Sequence, residues 1–290
     1  MPAAGAPVPR LACAVCGADD AVPVFVKAGW TFVRCRGCGL VSLRPLPTPA
    51  ELAAHHEASY RAGGYAAFAA AETVRADIAR HRLALVSPLA PPGPWLDVGC
   101  STGAFLAEAV HAGRDVEGLE LSAAAVAEAR RRGLAVHRGT TDDFQPARRY
   151  ALITAFDVIE HLPDPAAFLG RLASWLAPSS LLALTLPDVA SVPARAMGRH
   201  WYYYAPPDHV HYFTPATIRA LVAAHGFRDV RVEPFRKPLR LDYAVENLVR
   251  FNPRLGALAG AVARRLPRAW RARAWRLPLG EMLVTARSLC

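Results

Sequence analysis

The chain has 290 residues, of which 53% are hydrophobic and 20% are charged, and its formal net charge is +10. These values predict a globular protein of one large or two smaller domains and exclude intrinsic disorder. No stretch of the sequence has the roughly 20 uncharged apolar residues of a membrane span. Because the first ten residues lack a basic start followed by an apolar run, we expect no secretion signal and a cytoplasmic location.

The positive charge is concentrated near the C-terminal end of the sequence. Residues 236–290 contain twelve Lys or Arg residues and three Asp or Glu residues, so the rest of the chain is nearly neutral. This distribution argues against a protein whose whole surface holds nucleic acid, which we do not expect as a partner. It favours a single basic segment with its own partner or position.

Two matched cysteine pairs near the N-terminus are separated by 18 intervening residues: Cys13, Cys16, Cys35 and Cys38. Two Cys-x-x-Cys pairs supply the four thiolates of a tetrahedral zinc site, and the glycines that follow them, Gly17 and Gly39, permit the tight turns. Two disulfides or a redox pair are the alternatives, but the absence of a secretion signal and the matched pairing favour one metal site. Since protein ligands fill all four positions, the predicted Zn²⁺ is structural, and the segment is a zinc ribbon.

Composition and periodicity divide the chain into five segments. We expect the zinc ribbon over residues 1–45, a helical linker over 46–93, an α/β core over 94–236, a basic amphipathic insertion over 237–279 and a closing strand over 280–290. The linker pattern contains two helices separated by Gly63-Gly64.

The core segment alternates short apolar runs with helical patterns from Trp95 onward. This alternation predicts an α/β fold with a doubly wound, mostly parallel sheet. Ser122 and Thr214 stand where two of the helices begin, and both residue types are good N-caps.

The turn after the first core strand runs from Asp97 to Gly103 and has its glycines in the pattern G-x-x-x-G, at Gly99 and Gly103. A dinucleotide-binding turn has G-x-G-x-x-G, which holds a pyrophosphate. Here a carboxylate precedes the glycines, and it suits a cation better than a phosphate. S-adenosylmethionine carries an ammonium and a sulfonium group and no phosphate, so the turn fits that cofactor.

Further polar residues follow the next strands, where ligands bind in open α/β sheets. Glu120 ends the second core strand, where it could accept hydrogen bonds from both ribose hydroxyls. Asp142 follows the third strand, near an expected adenine amino group. Asp157 and His161 follow the fourth.

The motifs DVGCSTG, EGLELS and FDVIEHLPDP within residues 94–188 closely resemble class I S-adenosylmethionine-dependent methyltransferases. The resemblance implies a seven-stranded Rossmann-like sheet. The whole layout, ribbon included, is similar to bacterial methyltransferases that act on small molecules and sugars. Ser101 stands where the family most often has Gly, and Thr140 replaces its usual Asp, which makes Asp142 the expected adenine contact. We therefore expect these cofactor-binding residues: Asp97, Gly99, Ser101, Gly103, Glu120, Asp142 and Asp157.

Residues 200–214, HWYYYAPPDHVHYFT, contain four Tyr, one Trp and three His. Such a set is typical of a pocket, and methyl transfer needs an aligned, deprotonated nucleophile. The Asp208-His209 pair resembles the acid-His pair of some sugar C-methyltransferases, where that His is a proposed base. We expect catalytic roles for His209 first, His211 second and Tyr204, and substrate binding by Tyr202, Tyr203, Asp208 and His161. Alternatively, this segment only closes the pocket and caps the next helix.

These residues predict methyl transfer to oxygen or carbon of a small-molecule acceptor, sugar-like or a secondary metabolite. The alternative is an RNA methyltransferase that holds RNA with its ribbon and basic segment. Against it, the ribbon is not basic and the fourth-strand turn lacks an N-P-P-aromatic motif. A third alternative is a non-catalytic protein that binds the cofactor or acts in a zinc-dependent interaction.

The basic segment over residues 254–276 has apolar residues at helical spacing, Leu255, Leu258, Val262 and Leu266, followed by Trp270 and Trp275 among arginines. Three interpretations stay open. The segment contacts an anionic membrane surface peripherally, binds an anionic substrate, or packs on the sheet with a solvated basic face.

Overall fold

The computed structural model describes residues 12–59, 72–245 and 253–289. The first ten residues, considered above as a secretion signal, and the Gly63-Gly64 break lie outside the described residues, as does the side chain of Leu255.

The described residues form eleven strands in two sheets. The strands are β1 (Ala21–Lys27), β2 (Trp30–Cys35), β3 (Val41–Arg44), β4 (Trp95–Val98), β5 (Val116–Glu120), β6 (Val136–Arg138), β7 (Tyr150–Phe156), β8 (Leu176–Pro187), β9 (His211–Tyr212), β10 (Phe227–Arg240) and β11 (Ala274–Ser288).

Helices connect and cover these strands. They are α1 (Pro49–Ser59), α2 (Glu72–Val86), α3 (Ala104–His111), α4 (Ala123–Arg131), α5 (Pro165–Trp175), α6 (Val192–Met197), α7 (Pro215–Ala224), α8 (Pro253–Arg264) and α9 (Arg268–Ala272). Two short 3₁₀ turns cover Ile159–His161 and Gly198–His200. None of the described helices combines the length and apolarity that a bilayer crossing requires.

The larger sheet has seven strands in the order β10-β11-β8-β7-β4-β5-β6. Strand β11 runs antiparallel to both of its neighbours, and the pairs from β8 to β6 are parallel. This arrangement confirms the predicted doubly wound, mostly parallel, Rossmann-like sheet. The carboxyl ends of β4, β5 and β7 therefore meet along one edge of the sheet.

The central strands are buried on both faces, which explains their near-continuous apolar runs. Every residue of β4 and β7 is buried. Leu152 and Leu184 have no exposed surface, and each such side chain contributes about 1.5–3 kcal/mol through its burial. The sheet is thus a rigid base for the loops at its carboxyl edge.

The smaller sheet belongs to the cysteine ribbon and has the order β1-β2-β3-β9. Ala28 and Gly29 join β1 to β2 with φ of +50° and +81°, as a type I′ hairpin turn requires. The fourth strand, β9, comes from the aromatic segment 200–214 and pairs antiparallel with β3, so that Ser42 faces His211.

The ribbon and the aromatic segment also share a hydrophobic cluster. Phe32 and Leu43 from the ribbon pack with Trp201, Tyr204 and Tyr212, and all five side chains are buried. Although the expected domain boundary fell at residue 45, the packing therefore continues from the ribbon into the core.

The C-terminal strands are longer than the sequence suggested. The β10–β11 pairing continues to Arg240, which faces Ala274, and α8 and α9 lie in the connection between them. The inserted segment is therefore shorter than the expected 237–279, because β-pairing takes up residues at both of its ends.

Candidate active site

A cavity of about 1110 Å³ lies at the carboxyl edge of β4, β5 and β7. Seven residues proposed from the sequence line it: Asp97, Gly99, Ser101, Glu120, Asp157, His161 and Asp208. The other seven do not line it: Gly103, Asp142, Tyr202, Tyr203, Tyr204, His209 and His211. The edge of the sheet thus gathers the strand-end residues but only part of the aromatic segment.

The turn after β4 has an unusual backbone. Gly99 has φ of +72°, and a Cβ atom there would lie 2.5 Å from Cγ2 of Val158. Ser101, at a position where the resemblance implies Gly, has φ of +52°. Gly103 has φ of +80° at the start of α3, where a Cβ would lie 2.3 Å from Cδ1 of Leu134. Gly103 therefore serves close packing of the helix, while Gly99 and Ser101 line the cavity.

Asp97 is a buried carboxyl group at the cavity wall. Oγ1 of Thr154 donates a hydrogen bond to Asp97 Oδ1 at 2.6 Å. Burial raises the pKa of Asp97 to about 7, and the Thr154 hydrogen bond and the charge of Arg82 oppose that rise. A cationic ligand in the cavity would stabilise the carboxylate form.

Glu120 is held across the first turn by two backbone amides. The amide of Ser101 donates to Oε2 at 2.9 Å, and the amide of Ser122 donates to Oε1 at 2.8 Å. Each carboxylate oxygen has a further lone pair, so the group keeps the capacity to accept from a diol.

Asp142 does not contact the cavity, contrary to the sequence-based expectation. It is exposed, and its Oδ1 lies 2.7 Å from Nη2 of Arg171 on α5. Gly139, Thr140 and Thr141 line the wall after β6 instead. The ion pair draws the Asp142 side chain away from the cavity.

Arg82 is a cavity residue that the sequence did not reveal. It comes from α2, and its Nη2 donates to Asp157 Oδ2 at 2.5 Å and to Thr185 Oγ1 at 2.7 Å. Its guanidinium also lies over the Phe156 ring, 4.5 Å from the centroid. Burial alone would raise the pKa of Asp157, but Arg82 and then Lys237 hold it at about 2. The helical segment before the core therefore completes the cavity wall.

A second buried ion pair stands behind the same wall. Nζ of Lys237 lies 2.6 Å from Oε1 of Glu281 and 3.4 Å from the hydroxyl of Tyr203. Burial lowers the pKa of Lys237 and raises that of Glu281 well above its usual range. Lys237 lines the cavity and so links the hydroxyl of Tyr203 to it.

His161 is the imidazole at the cavity wall. Its Nδ1–H donates to the backbone carbonyl of Asp208 at 2.8 Å, and the Asp208 carboxylate lies 3.4 Å from the same nitrogen. Nε2 lies 3.9 Å from Oε1 of Glu160. Burial alone would lower the pKa of His161, but the hydrogen bond that it donates to Asp208 and the charge of Glu160 raise it to about 9.

His209 lies behind His161 rather than at the wall. The two rings meet edge to face with centroids 4.6 Å apart. Nδ1–H of His209 donates to the carbonyl of Tyr203 at 2.9 Å. One compact polar group is formed by Glu160, His161 and His209. A carboxylate oxygen of the first and a ring nitrogen of each histidine lie within 4.8 Å of one another.

The remaining aromatic-segment residues lie away from the cavity wall. His211 is buried between the ribbon strand β3 and Pro163, and Tyr204 is in the shared ribbon cluster. The hydroxyl of Tyr202 donates to the carbonyl of Leu279. The structure therefore places these three side chains away from the cavity wall, where ribbon strands or the carbonyl of Leu279 contact them.

The four ribbon cysteines come together at one end of β2. Sγ of Cys13 lies 3.5 Å from that of Cys38, Sγ of Cys16 lies 3.6 Å from that of Cys35, and all four lie within 4.8 Å of one another. None of the four forms a disulfide. Gly17 and Gly39 have φ of +71° and +85°, the conformation for which the sequence predicted glycine.

Residues 70–232 match a family model described as "Methyltransferase domain". A ubiquinone biosynthesis O-methyltransferase of Bradyrhizobium sp. (strain ORS 278) is 28% identical over 116 residues, which cover 38% of this chain and 42% of that protein. A trans-aconitate 2-methyltransferase of Methylobacterium nodulans is 35% identical over 116 residues, 39% of this chain and 45% of that protein. The chain thus matches less than half the length of these curated relatives.

Solved structures agree in fold. A SAM-dependent methyltransferase from Archaeoglobus fulgidus has a TM-score of 0.52 at 19% identity, covering 76% of this chain and 99% of that one. Another from Thermotoga maritima has a TM-score of 0.54 at 16% identity, covering 79% and 98%. With its family match extending over more than half of its length, the chain belongs to the methyltransferase domain family.

Proposed function

We propose that the protein transfers the methyl group of S-adenosylmethionine to a hydroxyl oxygen of a small acceptor, sugar-like or a secondary metabolite. The proposal rests on one observation, that a single cavity contains both the expected cofactor-binding residues and a histidine. Asp97 and Glu120 line one part of it, and the imidazole of His161 lines another.

The residues at the first turn fit the cofactor. The buried carboxyl group of Asp97 forms no ion pair with a described side chain, although the charge of Arg82 acts on it, and it suits the ammonium group. Glu120 is fixed by two amides and suits the ribose diol. The positive φ angles at Gly99 and Ser101 allow the backbone to approach the ligand closely. When bound, S-adenosylmethionine supplies an electrophilic methyl group on a sulfonium.

The acceptor proton goes to Nε2 of His161, because Nδ1 is already a donor to the Asp208 carbonyl. The Asp208 and Glu160 carboxyl groups stabilise the imidazolium that forms, since both raise the pKa of His161. His209 packs edge to face on this ring and is a positioning residue. The base assigned first from the sequence, His209, thus acts through its neighbour.

The names of the relatives support a small acceptor, and the first of them supports an oxygen nucleophile. The matched proteins are a ubiquinone biosynthesis O-methyltransferase and a trans-aconitate 2-methyltransferase. Apolar side chains of Val74, Ile78, Leu239 and Tyr243 line the cavity together with the polar groups. An acceptor with one hydrophobic face and several hydroxyls suits such a wall.

We further propose that the ribbon holds one structural Zn²⁺. Zinc–sulfur bonds of about 2.3 Å in a tetrahedron place the sulfurs roughly 3.8 Å apart. The separations of 3.5 and 3.6 Å between the paired sulfurs fit that arrangement. Four protein thiolates leave no position for a substrate, so the metal would stabilise the ribbon without entering the reaction.

The direct test combines the full chain with S-adenosylmethionine and a panel of sugar-nucleotide, phenolic and RNA acceptors, and measures S-adenosylhomocysteine. We expect turnover on a hydroxylated small molecule. We expect His161→Ala to lower kcat at least about a hundredfold, because a general base usually contributes that much to the rate. His209→Ala should lower kcat less, and His200→Ala, an exposed control in the same segment, should have no effect.

Two results would contradict the proposal. If only RNA supports turnover, with binding that weakens steeply as salt increases, the protein is an RNA methyltransferase. If calorimetry shows no binding of S-adenosylmethionine, the assignment of the first turn is wrong.

A further inference from the structure

Helix α8 has an inverted distribution of side chains. The large apolar side chains of α8 that the structure describes are exposed, with Leu258 65% and Val262 56% accessible, and Leu266 just after the helix is 37% accessible. The spacing of four residues places them on one side. The side facing the protein consists of small residues instead, including Gly260 and Ala263. A helix of a soluble protein normally buries its large apolar residues.

The apolar row continues into α9. Trp270 is 56% accessible, and its ring lies 5.6 Å from that of Trp275. The guanidinium of Arg273 stands over the Trp275 ring at 4.9 Å. We call the exposed side chains of Leu258, Val262, Leu266 and Trp270 the α8–α9 face.

The charges around this face have one sign. The sequence from Asn247 to Gly280 contains eight arginines and no Asp or Glu. The exposed ones among the described residues are Arg264, Arg265, Arg268, Arg273 and Arg276. A partner that binds this face must therefore supply an apolar environment for the Leu and Val side chains and negative charges for the neighbouring arginines.

A second copy of the chain does not fit these requirements. Two-fold pairing through the α8–α9 face would bring the same surface from both copies together, and hence arginine against arginine. An anionic lipid surface offers both properties, because acyl chains accept Leu, Val and Trp side chains while headgroups pair with arginine. Long arginine side chains reach the headgroups from positions beside an apolar row.

We propose that the α8–α9 face docks the protein peripherally on a bilayer that contains anionic lipid. Helix α9, which carries Trp270 of this face, is joined by one ion pair to the segment that lines the cavity. Arg271 of α9 lies 3.6 Å from Asp242, and the neighbouring residues Leu239 and Tyr243 line the cavity. Docking does not depend on the identity of the acceptor and goes beyond the proposed reaction.

The test is co-sedimentation of the full chain with vesicles of phosphatidylcholine alone and of phosphatidylcholine mixed with phosphatidylglycerol. We expect binding to the mixed vesicles, at least about tenfold weaker binding to the neutral ones, and weakening by salt. The double variant Leu258→Ser/Val262→Ser and the variant Trp270→Ser should each weaken binding by about tenfold or more. Calorimetric affinity for S-adenosylmethionine should stay unchanged, which shows that the variants are folded.

Matched controls are Val26→Ser and Val192→Ser, which remove apolar side chains that are 63% and 70% exposed on other elements. They should bind vesicles like the unmodified chain. The proposal is overturned if the chain binds neither vesicle, or if all variants bind equally. A dimer that Val262→Ser dissociates, with no vesicle binding, would identify a second copy as the occupant and also overturn it.

Discussion

Oγ of Ser42, on ribbon strand β3, lies 2.9 Å from Nδ1 of His211 on β9 and donates a hydrogen bond to it. The other ring nitrogen donates to the carbonyl of Pro163 at 3.3 Å. Burial lowers the pKa of His211 to about 4, so the ring is neutral and satisfied at both nitrogens. His211 thus joins the ribbon to the loop that carries His161.

Removing the proposed Zn²⁺ should loosen β9 as well as the ribbon. A zinc ribbon of this size depends on its metal for folding, and among the described strands β9 pairs only with β3. We expect faster amide exchange in β1–β3 and in residues 209–213 after chelation, with β4 and β7 little changed, measured by hydrogen–deuterium exchange. Cys35→Ser should behave like the chelated chain and Cys100→Ser should not. Unchanged exchange in β9 would contradict the coupling.

Asp97→Asn should change how stability depends on pH in the ligand-free protein. The pKa of Asp97 is raised from 3.8 to about 7, so the folded state binds more protons, and stability is lost as pH rises from about 4 to about 7. The variant should remove up to about 4 kcal/mol of that loss, measured by urea unfolding across this range. Asp19→Asn, at an exposed site, should leave the curve unchanged. If the free energy of unfolding depends on pH in the same way for Asp97→Asn and the unmodified chain, the buried position of Asp97 is wrong.

Asp208→Asn should shift the pH dependence of turnover. A neutral His161 is needed to accept a proton, and its pKa is about 9, so kcat should increase with pH up to that region. Removing the Asp208 carboxylate lowers the pKa of His161 and moves the rising limb to lower pH. Asp229→Asn, at an exposed site, should not move it. If the rising limb of kcat against pH moves to higher pH or stays in place, His161 is not the base.

Gly99→Ala should weaken cofactor binding more than an equally strained substitution elsewhere. Gly99 and Gly133 both have positive φ, +72° and +78°, so Ala costs about 1–2 kcal/mol of backbone energy at each. Only at Gly99 would the new Cβ meet a neighbour, Val158 Cγ2 at 2.5 Å. We expect calorimetry to show at least about tenfold weaker S-adenosylmethionine binding for Gly99→Ala and no change for Gly133→Ala. If both variants bind S-adenosylmethionine equally well, the turn at Gly99 does not contact the cofactor.

The sheet and the first turn were predictable because their determinants are local. Strand patterns, N-caps and glycine positions depend on neighbouring residues, and the structure places Ser122 and Thr214 as N-caps whose side chains accept from backbone amides. The positive φ angles of Gly17 and Gly39 follow from the same kind of reasoning.

The rest of the site depends on contacts between distant segments. Arg82 reaches Asp157 from a helix 75 residues earlier in the chain, and no local pattern marks that pair. Asp142 leaves the cavity because Arg171 happens to lie beside it in space. Tyrosine is a residue type that often lines pockets, yet Tyr204 packs among buried aromatic side chains that the ribbon supplies.

The participation of β9 in the ribbon sheet limits how this protein can be recombined with its relatives. A chimaera that exchanges only the cysteine-bearing segment would present a foreign edge to β9 and remove the Ser42 donor. A chimaera that is to fold and function therefore has to receive residues 200–214 together with the ribbon. These two distant stretches of sequence form one structural unit.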